Sequence, residues 1–253
     1  MSLPQKAHAS FPHELLDPVA AYDRLAPYYS QLSNRRAAYL HSVEEQVAAR
    51  TPDGAKSLLD IGAGDGSRAL RIARLAKISR IVLLEPSAQM TGCTLPDCEW
   101  WRVRAEDIEL AGIVERFEVI TCLWNVLGHI QGSDKRTRAL SVAAQLLSPT
   151  GLLFIDVIHR YNVRSYGVVM STARWLRDWL APSETNGDVV ARWQTQDGEI
   201  STYGHVFTDG EMRRLAKSAG LECVERVVID YETGRIRGVS CLGNLLYVFR
   251  RAS

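Results

Sequence analysis

The segment that most constrains the fold is Leu58-Leu59-Asp60-Ile61-Gly62-Ala63-Gly64-Asp65-Gly66. An apolar run reaches an acid, three glycines follow at alternate positions, and a helix-period stretch begins at Ser67. This order predicts a buried parallel strand that turns sharply into a helix. Glycine is needed there because it takes positive φ and lets backbone approach a ligand closely. Open α/β sheets bind nucleotides at such turns, at the C-terminal ends of their strands. The dinucleotide fingerprint G-x-G-x-x-G is not met, because Ser67 stands where its third glycine would be. No lysine follows Gly66, so a G-x-x-x-x-G-K-[ST] phosphate loop is absent too. Taken alone, the turn also reads as a purely structural one, and its context decides.

The chain has 253 residues, enough for one large domain or a domain with an insertion, and 46% of them are hydrophobic, enough for a substantial core. A net charge of +1 gives no drive toward nucleic acid or an anionic membrane. The cysteines (Cys93, Cys98, Cys122, Cys223, Cys241) are odd in number and form no C-x-x-C pair. That usage points to a reduced, cytoplasmic chain without a metal centre. No apolar stretch nears the ~20 residues of a membrane span. Met1 to Pro12 is polar, lacks a signal-like apolar region and reads as a lead-in.

Asp17 to Arg50 reads as helical, interrupted at Pro27. Strand and helix signals then alternate. Strands are expected at Ser57–Ile61, Arg80–Leu84, Trp100–Arg104, Phe117–Leu123 and Leu152–Val157, the last introduced by the turn Pro149-Thr150-Gly151. Helices are expected at Ser67–Ala76, with Arg68, Arg71 and Arg74 on a polar face, and at Lys135–Leu147, capped by Ser133 or Asp134. From His159 to Val206 the rhythm breaks into a helix near Thr172–Leu180 and a hairpin about Asp197-Gly198. It resumes with Thr208-Asp209-Gly210-Glu211, a capping box. Strands near Glu222–Ile229 and Asn244–Arg250 close the chain. They pair antiparallel at the sheet edge, or the second inserts between neighbours. The expected divisions are an N-terminal helical segment (1–50), a core (51–158), an inserted cover (159–206) and the rest of the core (207–253). The fold class is α/β: a Rossmann-like, seven-stranded, mostly parallel sheet with helices on both faces, an antiparallel last strand and an inserted cover after strand five.

This order of motifs resembles the class I S-adenosylmethionine-dependent methyltransferases, from about Tyr22 to Arg250. The turn Asp60, Gly62, Ala63, Gly64 and Gly66 matches their cofactor loop, and Glu85-Pro86 matches the acid ending the second strand. Glu106-Asp107 after the third strand and Leu123-Trp124-Asn125 after the fourth match as well. The resemblance implies S-adenosylmethionine as cofactor and S-adenosylhomocysteine as product. The turn would underlie the methionine half, with Asp60 holding its amino group. Glu85 would accept both ribose hydroxyls, and it follows Gly62 by about 20 residues, as a ribose acid does. Met90 would pack on the adenine, and Ala105, Glu106 and Asp107 would meet its edge. Read by type alone, these acids are equally helix caps and Met90 is equally core. Tyr22-Asp23-Arg24-Leu25-Ala26-Pro27-Tyr28-Tyr29 resembles a lid segment, with Tyr22 and Tyr29 over the cofactor and Tyr28 toward the substrate.

Methyl transfer from a sulfonium needs alignment and exclusion of water, and a base only when the nucleophile arrives protonated. His129, just past the fourth strand, is the candidate base and also a candidate substrate contact. His159, Tyr161 and Asn162 follow the fifth strand, and Tyr203 and His205 lie in the hairpin. These complete the expected substrate region. The fourth-strand motif lacks the Asn/Asp-Pro-Pro-aromatic tetrapeptide of DNA amino-methyltransferases and is weakly similar to glycine N-methyltransferase-like enzymes. It favours a small-molecule acceptor, nitrogen or oxygen, and a monomer or homodimer. A tRNA or protein methyltransferase, a non-catalytic cofactor-binding protein and an NAD-dependent oxidoreductase are the rivals. Arg160, Arg164, Arg174 and Arg177 would bind an anionic substrate if they converge on a pocket mouth.

Overall fold

The computed structural model describes residues 15–90, 98–108 and 115–252. The lead-in and Cys93 lie outside the described residues.

Five parallel strands build the first half of the sheet: β1 (Ser57–Ile61), β2 (Arg80–Leu84), β3 (Cys98–Trp101), β4 (Phe117–Cys122) and β5 (Leu147–Val157). The second half holds β8 (Leu221–Ile229), the two-residue β9 (Ile236–Arg237) and β10 (Asn244–Arg251), after the hairpin of β6 (Asp188–Thr195) and β7 (Gly198–His205). The sheet order is β3-β2-β1-β4-β5-β10-β8-β9, and β6-β7 stand apart as a two-stranded sheet. Short β9 therefore adds an eighth strand to the seven expected. Strand β10 inserts between β5 and β8, antiparallel to both.

Alternation along each strand divides the core in two. Leu59, Ile61, Leu153 and Ile155 face α5 (Ser133–Leu146) and α7 (Asp209–Ser218). Leu58, Leu83 and Phe154 face α3 (Ala37–Arg50) and α4 (Ser67–Ala76). Near-continuous apolar runs are what a parallel sheet covered on both faces requires.

Several boundaries differ from expectation. Strand β3 ends at Trp101 because its partner β2 ends at Leu84, freeing Arg104 to pair with Asp17 at 2.6 Å. Helix α5 begins after Gly132 (φ 89°) with no side-chain cap, and the Ser133 hydroxyl donates to Glu184 instead. Pro149-Thr150-Gly151 lies within β5, where the register shifts from Phe117↔Leu147 to Val119↔Leu152. Thr208 caps α7 by accepting the Glu211 N–H, but the Glu211 carboxylate faces His205 and Arg160. Only half of the capping box forms as written.

The segment after β5 starts with α6 (Val163–Leu180), longer than expected because Asn162 caps it through two backbone N–H groups, and broken at Gly167 (φ 77°). A buried ion cluster fixes this segment to α7. Arg160 pairs with Asp178 at 2.8 Å and with Glu211 at 2.6 Å. His205, wholly buried, bridges Asp188 and Glu211 at 2.7 and 2.8 Å. Against the hairpin, α1 (Pro18–Leu25), which leads into the short α2 (Tyr29–Asn34), is tethered by Asp23, which accepts the Ser87 hydroxyl at 2.6 Å. Leu16 adjoins β7 through a backbone bond to Ser201.

Removing Arg160 leaves the largely buried Asp178 and Glu211 carboxylates without their shared guanidinium. Arg160→Ala is expected to cost about 3–5 kcal/mol and lower the melting temperature by roughly 6–15 °C. Calorimetric melting checks it, and a shift within about 2 °C would show that the cluster holds nothing in place.

Candidate active site

The cleft lies at the C-terminal ends of β1, β2 and β4, beneath α1. Gly62, Gly64 and Gly66 all take positive φ (68°, 60° and 74°), so the chain leaves β1 in a conformation that residues with a side chain rarely adopt. A Cβ on Gly64 would lie 2.8 Å from the Tyr29 hydroxyl and 3.2 Å from the Met90 methyl. The cleft holds about 730 Å³ of empty space up to its mouth.

Glu85 closes its β2 side. One carboxylate oxygen accepts the Gly64 N–H and the other the Ser87 N–H, both at 2.9 Å. Burial pushes its carboxyl up to about 7 against those two bonds. Asp60 is fully buried, with Oδ1 accepting the Thr121 hydroxyl at 2.6 Å. Its Oδ2 has no hydrogen-bond partner and lies 3.8 Å from the Arg68 guanidinium, whose Nε is likewise buried and unpartnered. Burial raises the Asp60 pKa, with Arg68 opposing.

The β4 side is a strained turn. Trp124 and Asn125 both take left-handed conformations, φ 61° and 60°. Asp156 secures them. Its side chain accepts the Trp124 N–H at 3.0 Å, and its carbonyl accepts the Asn125 N–H. Asn125 accepts the Ile158 N–H and donates to the His205 carbonyl. Tyr39 of α3 donates its hydroxyl to the same Asp156 carboxylate. Burial lifts Asp156 to about 6.

His129 follows. A carbonyl can only accept, so the 2.9 Å contact of Nδ1 with the Tyr203 oxygen puts the ring proton on Nδ1. Nε2 then accepts the Tyr22 hydroxyl at 3.1 Å. Burial holds His129 below its ordinary pKa, so the ring is neutral near pH 7. Beyond it lies a second cavity, about 1260 Å³ to its mouth, between α6 and the β6-β7 hairpin. Tyr22, Tyr29, Trp124 and His129 line both cavities.

The cleft thus gathers Tyr22, Tyr29, Gly62, Gly64, Glu85, Pro86, Ala105, Glu106, Leu123, Trp124 and His129. Of the two acids after β3, Glu106 faces the cleft and Asp107 is exposed. Asp60, Ala63, Gly66 and Met90 lie behind the lining rather than in it, and Asn125 lines the second cavity.

Six expected substrate residues stand away from both cavities. Tyr28 donates to Asp197 on the surface. Tyr161 is bound to Asp178, Tyr203 to Asp188, and His205 to two carboxylates. Asn162 is the α6 cap. His159 lines a separate surface pocket with Trp175 and Cys241. The side chains of Tyr28, Tyr161, Asn162, Tyr203 and His205 are spent on the joints of the inserted segment.

Arg68, expected on a polar face, is buried instead and lines the cleft. It is i, i+4 from buried Ile72, which places it on the inner face of α4, whereas Arg71 pairs with Glu44 on α3. No group of His, Cys, Asp and Glu that could hold a metal occurs among the described residues, and none of their helices is long and apolar enough to cross a membrane.

A glycine-rich turn, a ribose-type acid and a 3-2-1-4-5 sheet closed by an antiparallel strand define a Rossmann-like nucleotide-cofactor enzyme. A family model described as a methyltransferase domain matches residues 31–226. The chain belongs to this family, within the class I S-adenosylmethionine-dependent methyltransferases. Solved structures share the fold at low identity. The CcbJ methyltransferase of Streptomyces caelestis is 18% identical with a TM-score of 0.67, covering 92% of this chain and 98% of that one. The sugar N-methyltransferase KedS8 of Streptoalloteichus sp ATCC 53650 is 17% identical with a TM-score of 0.61, covering 100% and 99%. CalS10, an amino pentose methyltransferase from Micromonospora echinaspora solved with S-adenosylmethionine bound, is 19% identical with a TM-score of 0.59, covering 89% and 97%. No curated protein matches the sequence.

A Cβ on Gly62 would sit 2.5 Å from both Val126 methyl carbons, whereas one on Gly54, also at positive φ, meets nothing within 4 Å. Both alanine variants carry the backbone cost of about 1–2 kcal/mol. Gly62→Ala is expected to lose at least about 1 kcal/mol more than Gly54→Ala in urea unfolding. Equal losses would show that Val126 yields without cost.

Proposed function

We propose that this protein moves a methyl group from S-adenosylmethionine to a nitrogen or oxygen of a small-molecule acceptor. The observation that carries this reading is the wall of Tyr22, Tyr29, Trp124 and His129 shared by the cofactor-type cleft and the second cavity. A group passed across that wall travels a short way and never meets bulk water.

The donor set in the cleft fits the cofactor. Each Glu85 oxygen has one backbone N–H partner and keeps a lone pair for a ribose hydroxyl. Glu106 and the Ala105 backbone take the adenine edge. Gly62 and Gly64 allow the methionine half to lie on the backbone. The two orphaned buried groups, Asp60 Oδ2 and Arg68 Nε, complement an ammonium and a carboxylate, the two ends of an amino acid. Met90 and Gly66 support the turn from behind.

When bound, S-adenosylmethionine supplies a methyl carbon on a positive sulfur, open to in-line displacement. Trp124 and Tyr29 exclude water from that carbon. His129 Nε2 takes the proton of an arriving hydroxyl, and its Nδ1–H bond to Tyr203 fixes the ring in the orientation that does so. Tyr22 holds Nε2 until the acceptor replaces it. The α6 and hairpin segment covers the acceptor. Arginines that would make a nucleic-acid surface here are spent internally: Arg160 on Asp178 and Glu211, Arg164 on Asp230, and Arg177 beside Asp178.

Calorimetric titration with S-adenosylhomocysteine tests the cofactor site. Ribose hydroxyls donate to ionised Glu85, so affinity is expected to rise with pH through about 7, and Glu85→Gln to bind roughly tenfold more weakly with that pH dependence lost. Unchanged binding by Glu85→Gln would refute the ribose role.

For the base, His129→Ala is expected to lower kcat about 10²–10⁴-fold on a hydroxyl acceptor, with S-adenosylhomocysteine affinity held within about threefold. Because burial lowers the His129 pKa, the acid limb of the wild-type rate profile should fall below about 6.5. A profile flat to lower pH, or a His129→Ala enzyme of full rate, would remove His129 from proton transfer.

A further inference from the structure

The lining of the second cavity is positively charged. Among the described residues that line it, none carries a carboxylate, while two, Arg174 and Arg192, carry a positive charge. Arg192 has Glu199 at 3.8 Å. Arg174 is different. Its guanidinium lies over the Tyr166 ring, 4.0 Å from the centroid, and donates once to the Arg160 carbonyl at 3.3 Å. Among the described residues it makes no ion pair. The stacking fixes the plane of the guanidinium, and one bond leaves most of its five donors unused. Of the four arginines grouped in this segment, it is the one that lines the cavity.

The rest of the lining sorts acceptors further. Tyr22, Trp193 and His129 pack as an aromatic cluster, with ring centroids 5.3 to 6.1 Å apart. Aromatic walls take a flat ring or an ammonium, but uncompensated Arg174 and the missing carboxylate set the sign against the ammonium. Of the titratable side chains at the transfer wall among the described residues, Tyr22, Tyr29 and His129, only neutral His129 offers a basic nitrogen, at present accepting the Tyr22 hydroxyl. His129 Nε2, facing the cavity beside Tyr22, stands where a hydroxyl proton can leave as the new bond forms.

Building on the proposed function, we propose that the acceptor is a hydroxyl-bearing aromatic acid: its ring against Tyr22 and Trp193, its hydroxyl at His129 Nε2, its carboxylate on Arg174. The reaction is then O-methylation. The oxygen–carbon bond forms as the carbon–sulfur bond breaks, the hydroxyl proton passes to His129 and then to solvent, and the sulfur leaves neutral as S-adenosylhomocysteine.

The test is calorimetry on the full chain, with and without saturating S-adenosylhomocysteine, using caffeate, the cationic counterpart dopamine and neutral catechol. Caffeate is expected to bind roughly tenfold more tightly than dopamine, with catechol between. Arg174→Lys should keep the order, Arg174→Met should bring caffeate to the level of catechol, and Arg174→Glu should reverse it. Retained S-adenosylhomocysteine affinity in each variant shows that the fold persists, and two neutralising or reversing variants guard against the loss of either. Dopamine binding as tightly as caffeate, an order unmoved by Arg174→Met and Arg174→Glu, or no binding by any of the three compounds would overturn the assignment. If the acid preference appears in a protein that binds no S-adenosylhomocysteine, the cofactor reading fails and the acid site stands.

Discussion

The buried carboxylate of Asp156 holds together the part of the molecule where two cavities meet. Two consecutive residues with side chains, Trp124 and Asn125, are kept at φ near 60°, at a cost of about 1–2 kcal/mol each. Asn tolerates that conformation and Trp does not favour it. The compensation comes from Asp156 below and the Asn125 amide bonds above. Because Tyr39 of α3 donates to the same carboxylate, the strained turn is coupled to the helix layer on one face of the sheet. It is coupled through the His205 carbonyl to the hairpin as well. The indole of Trp124 reaches the wall between the cavities only because this turn is held.

Burial shapes the electrostatics of the site. Asp60, Glu85 and Asp156 are all pushed toward higher pKa by loss of water. For Glu85 and Asp156 the folded values, about 7 and about 6, exceed those of the unfolded chain. The folded protein therefore binds more protons than the unfolded one in that window, and these groups withdraw stability as pH rises through it. On the proposed function, ribose hydroxyls donating to Glu85 would reverse this at one position.

Legibility in the sequence followed the range of the interactions. The glycine turn and the alternation of strands and helices are local patterns, and they form where those patterns imply. Boundaries set by a partner did not. The end of β3 depends on where β2 ends, and the α5 start on a glycine whose neighbour turned to Glu184. The candidate substrate residues drifted most. Tyr161, Asn162, Tyr203 and His205 have site-like chemistry, but the inserted segment spends them on its own attachment. Arg68 was legible in principle through its i, i+4 relation to Ile72, yet its run with Arg71 and Arg74 reads as a solvated face.

The sequence by itself determined the sheet, the glycine turn after β1 and the acid that ends β2, because these rest on backbone conformation and short-range periodicity. Only the tertiary structure decided which polar side chains remain free for a ligand. That depends on pairings between segments distant in the chain, such as Arg160 with Glu211 or Tyr39 with Asp156. It also decided that Arg174 alone of its group lines the second cavity with no acid partner among the described residues, since a charge is available only where folding brings no counter-charge to it.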